Sequence, residues 1–143
     1  MVGGARGRVK AVVALALIAG CFSWSYGREV ATHAEVLVAM AHKGADLVAG
    51  GRLTAESLPE LTYPLERAQA FVRAREARGG APPPSLVELE RLIDRYRAFL
   101  DALDRVRREQ SGDAARAALS GPLAAAEAAG AAVREALRAE GRL

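Results

Sequence analysis

The chain has 143 residues, a formal net charge of +3, a pI near 9.5, 51% hydrophobic and 5% aromatic residues, and a single cysteine. One cysteine excludes a disulfide framework within the chain and any metal site built from several thiolates. The positive charge is no nucleic-acid signature: three of the 20 Lys and Arg residues are Arg6, Arg8 and Lys10, no acid precedes residue 22, and residues 22–143 carry 17 of each sign.

Those three cations precede an apolar run from Ala11 to Ala19. Crossing a bilayer as a helix takes about 20 apolar residues, so the run is short for a span and has the layout of a secretory signal, a cationic stretch followed by a brief hydrophobic one. It ends in Ile18-Ala19-Gly20-Cys21. This ending resembles the lipobox of bacterial lipoproteins, in which an aliphatic residue and two small residues precede a cysteine. The resemblance implies that residues 1–20 are a lipoprotein signal peptide, that Cys21 is lipidated and becomes the first mature residue, and that the protein is held in the bacterial cell envelope. A cysteine suits that step as a soft nucleophile for a diacylglyceryl group, and small neighbours leave room for the processing enzymes. Each buried methylene adds about 0.8 kcal/mol, so several acyl chains on one residue make a lasting anchor.

Residues 21–28 read as a lipidated tether. Phe22, Trp24 and Tyr26 put three aromatic rings within five positions of the lipid, and Trp and Tyr favour the headgroup layer, where an apolar ring and a polar edge are both satisfied. The same rings equally suit a segment that packs back on the folded domain, or a plain linker.

Residues 29–143 are one domain's worth of chain. The first helix is expected over about 28–49: Val30, Ala34, Leu37, Ala41, Gly44 and Val48 alternate at four and three, one helical face, with Val36, Val38, Met40 and Leu47 widening it. Gly50-Gly51 supplies a stop, since glycine takes the left-handed conformation without steric cost. The second helix is expected over 55–78, with Thr54 as N-cap and a break near Pro59–Pro64. Its inner face is Leu61, Leu65, Ala68 and Val72, with Phe71 beside it. Gly79-Gly80-Ala81-Pro82-Pro83-Pro84 then punctuates the chain.

Ser85-Leu86-Val87-Glu88 has the pattern of a capping box, in which hydroxyl and carboxylate each satisfy a free backbone donor. It opens a third helix expected over 85–109, whose Leu86, Leu89, Ile93, Tyr96, Leu100 and Leu103 form a heptad seam, with Leu92, Phe99 and Val106 on its flank. A fourth helix is expected over 114–140, capped by Asp113 and broken near Gly121-Pro122. It is alanine-rich, with few large aliphatic residues and a thin apolar stripe. Short breaks between long helices favour antiparallel neighbours. The expected fold is therefore all-α: an up-and-down antiparallel bundle of three to four helices after an N-terminal signal or anchor helix.

Chemistry is scarce in this chain. His33 and His42, the only histidines, are nine residues apart on one helix and point to nearly opposite faces, and no zinc-protease or di-iron spacing accompanies them. Serines occupy cap and loop positions, and the paired carboxylates Glu88/Glu90 and Asp101/Asp104 lie on the solvent side of the heptad. No catalytic residue, metal or cofactor is expected, and no nucleic acid. Arg134, Arg138 and Arg142 form a stripe on the last helix, interleaved with Glu127, Glu135 and Glu140, as a mixed solvated surface would be. In plan, a lipobox, a short tether and a small alanine-rich bundle, the chain resembles small helical lipoproteins of bacterial and prophage genomes. The resulting expectation is a non-catalytic envelope lipoprotein, facing the periplasm or in the outer membrane, bound to the membrane through Cys21 and engaging a protein partner. The alternative is a bundle that holds a lipid or other hydrophobic molecule in a cavity lined by Met40, Tyr63, Phe71, Tyr96 and Phe99.

Overall fold

The computed structural model describes the backbone from Gly4 and the side chains from Ser25 to Leu143. It is all-helical among the described residues, with α1 (Gly4–Ala49), α2 (Leu58–Glu76), α3 (Pro84–Glu109) and α4 (Gly112–Ala139). α1 and α3 each pack against the other three helices, whereas α2 and α4 do not touch. At one end of the bundle lie Tyr26 of α1, Phe71 of α2, Ser85 of α3 and Glu140 just past α4. At the other, Lys43 of α1 meets Glu60 of α2, and Asp46 of α1 meets Arg116 of α4. Consecutive helices thus run antiparallel, with α1 parallel to α3.

The four-and-three spacing of α1 is realised as packing. Val30, Ala34, Leu37, Ala41, Gly44 and Val48 are all buried, while Val36 is 39% exposed. Helix α1 closes where its glycines stand: Gly51 adopts φ +63, its N–H donates to the Val48 carbonyl and the Arg52 N–H to that of Leu47, the paired bonds of a Schellman turn.

Helix α2 starts later than expected and has no break. Its N-cap position is Ser57 rather than Thr54, Pro59 falls in the first turn, and Pro64 lies inside a continuous helix. A first-turn proline gives up a donor that has no partner anyway. Pro64 does forfeit a bond, but Leu61 and Leu65 on either side of it are buried, and their packing outweighs it. Likewise Pro122 stands inside an unbroken α4, flanked by the buried Leu119 and Ala126. In both helices tertiary burial overrides a local breaker.

The last helix belongs to the core. Leu119, Val133 and Leu137 are buried, and its small residues let α1 come close: a Cβ added at Gly130 would lie 2.7 Å from Val38 Cγ2. Where side chains are small, the backbones approach until contact is made, so a thin apolar stripe still yields a closed interface. In α3 the buried set extends beyond the expected seam to Leu92, Phe99, Ala102 and Val106, and Leu100 is only partly buried. A two-sided seam is too narrow for a helix with three neighbours.

Candidate functional site

Tyr26 organises one end of the bundle. Expected on the membrane surface or folded back, it is 5% exposed, so the bundle begins before residue 29. Its hydroxyl lies 3.0 Å from Ser85 Oγ, which in turn donates to Glu140 Oε2 at 2.8 Å. Serine has one proton, and the carboxylate takes it, so Tyr26 is the donor to Ser85. Burial pushes the Tyr26 phenol above its ordinary value of 10.0, which keeps that donor protonated.

The α3 cap differs from the sequence pattern for a related reason. Pro83 holds the N-cap position and Pro84 the first helical one, because proline's fixed φ suits a first turn. Ser85 therefore lies inside the helix with an unbonded N–H, and Pro83 has no side chain to cap it. Glu140 supplies the cap from 55 residues away, accepting from the Ser85 N–H at 2.8 Å. Glu88 instead pairs with Arg91 at 2.6 Å. The expected Asp113 cap is displaced in the same way, since α4 starts at Gly112 with Ser111 at the N-cap position.

Helix α4 ends in a second Schellman turn, with Gly141 at φ +67, its N–H on the Arg138 carbonyl and the Arg142 N–H on that of Leu137. The reversal carries Arg142 back over α1. Its guanidinium carbon is 4.4 Å from the Tyr26 ring centre, and its carbonyl oxygen lies where a Cβ on Gly27 would meet it at 2.5 Å. Arg75 of α2 approaches the same ring at 4.9 Å and Phe71 at 5.2 Å. Two guanidinium groups thus stand on one tyrosine, an attraction worth about 0.5–2 kcal/mol each according to how dry the contact is.

Beside this cluster opens a cleft of about 550 Å³, lined by Tyr26, Arg75, Glu76, Arg78, Leu86, Arg142 and the α2–α3 loop from Gly79 to Pro83. Three arginines face one glutamate. Arg142 pairs with Glu140 at 3.5 Å, and the neutral donors of Ser85 leave the charge of that carboxylate in place. Arg75 and Arg78 have no carboxylate partner among the described residues, and Arg75 is only half-exposed. Glu76 stands towards α3, where partial burial and then the Glu76 carboxylate hold the Glu90 carboxyl above its ordinary range. The cleft is therefore an anion-attracting one.

The other expected residues are dispersed. Tyr96 and Phe99 are closed within the core, rings 6.2 Å apart, and Tyr96 donates to the Leu61 carbonyl at 2.5 Å. Phe71 packs instead against Tyr26 and, at 4.9 Å, His33. Met40 is partly buried on α1, and Tyr63 is 58% exposed beside Arg67. These five do not gather around one void. His42 pairs with Glu127 at 2.6 Å, and Arg138 with Glu135 at 2.5 Å. Among the described residues no group of three His, Cys, Asp or Glu side chains is placed to hold a metal ion. Ile18, Ala19, Gly20, Cys21, Phe22 and Trp24 lie outside the residues whose side chains are described.

The sequence pattern marks neither Arg75 nor the Ser85–Glu140 pairing, and it sets Arg142 in a solvated stripe on the last helix, whereas Arg142 lies beyond the end of α4 and stacks on Tyr26. One signal was available: Gly141 just past the helical pattern marks a chain reversal, and a reversal there returns the C-terminal residues to the bundle. No family model, curated protein or solved structure matches the chain.

Proposed function

We propose that the chain is a lipid-anchored protein of the bacterial envelope whose helical bundle serves, without catalysis, as an interaction or scaffold module. The observation that carries this reading is the distance between anchor and domain. Cys21 is the lipobox cysteine, and Tyr26, five residues on, is already docked between α2, α3 and the end of α4. Five residues span about 7.5 Å as a helix and at most about 18 Å extended. A lipid on Cys21 would therefore hold the Tyr26 end of the bundle against the membrane and point the opposite end outward.

The burial of two expected lining residues supports a surface role over ligand storage: Tyr96 and Phe99 are part of the core themselves, with 0% exposure. Metabolic labelling with a fatty-acid analogue tests the anchor. The wild-type chain should incorporate label and fractionate with membranes; a Cys21→Ser chain should do neither, and equal labelling of that variant would overturn the reading.

A further inference from the structure

The cleft at the Tyr26 end carries more cations than carboxylates: Arg75, Arg78 and Arg142 against Glu76 and Glu140. Arg142 is stacked and bonded locally, but Arg75 and Arg78 line the opening without a carboxylate partner among the described residues. Arg75 is half-buried against Tyr26 and Phe71, which fixes its guanidinium in place. A planar fork of donors that is fixed and unpaired suits an oxyanion, above all a phosphate, which accepts two parallel bonds.

Position selects the source of that phosphate. If Cys21 is acylated, the cleft lies within about 18 Å of the lipid attachment point along the chain, and the headgroup layer is some 5–8 Å deep on each side of the hydrocarbon. Resting on the lipid-anchored reading above, we propose that Arg75 and Arg78, with Arg142 behind them, bind the phosphate of an anionic lipid headgroup at the membrane surface. Ala81 and Pro82 of the α2–α3 loop border the same cleft and are exposed, which gives the glycerol and upper acyl carbons an apolar rim. Such a contact would add a second point of attachment beside the anchor and so orient the bundle on the membrane.

The test uses the full chain, extracted and held in a neutral detergent, and follows the phosphorus NMR signal of short-chain phosphatidylglycerol. Wild type should shift it saturably, Arg75→Gln/Arg78→Gln should weaken the apparent affinity at least about tenfold, and Arg52→Gln/Arg105→Gln, which removes two cations from the far end, should leave it unchanged. Matching circular dichroism spectra and melts keep the comparison to folded proteins; should the double variant be unfolded, Arg78→Gln alone, an exposed position, must still weaken binding. Short-chain phosphatidylcholine should bind far more weakly. Equal binding by the Arg75/Arg78 variant, or equal binding of phosphatidylcholine, would overturn the proposal. So would inorganic phosphate matching phosphatidylglycerol, which would mark a free-anion site, or hexaglutamate matching it, which would mark an acidic-peptide site. Because the lipid is added rather than attached, this result is independent of Cys21 acylation: loss of binding removes the cleft assignment alone, and an unlipidated Cys21 removes the anchor alone.

Discussion

The Glu140 carboxylate accepts both the N–H and the hydroxyl of Ser85 at 2.8 Å, and so the end of α4 caps the start of α3. A negative group at a helix N-terminus meets unbonded donors and the positive end of the helix dipole together. Glu140→Ala should cost about 2 kcal/mol. Ser85→Ala keeps the backbone N–H bond to Glu140 and loses only the hydroxyl, so it should cost less, about 1 kcal/mol, and the double variant should cost less than the sum of the two, because the hydroxyl bond is counted in both. Urea titrations of the three variants provide the cycle, and strictly additive losses would show that the two residues act separately.

The close approach of α4 to α1 rests on Gly130. A methyl group there meets Val38 Cγ2 at 2.7 Å, and valine has little rotamer freedom with which to yield. Gly130→Ala should destabilise by about 1–3 kcal/mol, and Val38→Ala should recover most of that loss in the same thermal melts. Failure of the second change to rescue would place the strain elsewhere.

The two described tyrosines distant from the cleft should behave oppositely. Tyr96 is buried with its hydroxyl on the Leu61 carbonyl, and burial pushes its phenol well above the ordinary value. Tyr96→Phe orphans that carbonyl from its side-chain partner and should cost about 1–1.5 kcal/mol. Tyr63→Phe, at an exposed position, should change stability by less than about 0.5 kcal/mol.

His33 makes stability depend on pH near neutrality. Burial first, and then Arg67, hold its imidazole below the ordinary 6.5, with Glu29 opposing. A lowered histidine means that the unfolded chain binds more protons than the folded one, so its contribution is present above pH 6.5 and is lost as pH falls through the folded value. Denaturation midpoints should fall between about pH 7.5 and 5.5, ahead of the carboxylates, and His33→Gln should remove that component. A midpoint that rises on acidification in this range would contradict the assignment.

Periodicity made α1 and the inner face of α2 legible, because Leu37 or Leu65 is buried for the same reason that it recurs at helical spacing. Proline misled, since the rule that Pro64 or Pro122 breaks a helix concerns a helix alone, and both stand where buried neighbours hold the turn. The all-α class followed from long periodic stretches and glycine stops. The site was illegible for a different reason: Tyr26, Arg75, Ser85, Glu140 and Arg142 come from four parts of the chain, and only the assembled bundle joins them. Ser85 and Glu88 matched a local pattern, but Pro83 and Pro84 moved the helix start and left the cap to a distant residue.

The anchor is the premise on which the orientation of the whole molecule rests, and the intact mass of the protein purified from its own membranes tests it most directly. The account predicts a chain that begins at Cys21 and carries the added mass of a diacylglyceryl group, with or without a further acyl chain. A chain that retains residues 1–20, or one whose Cys21 thiol is free, would contradict it.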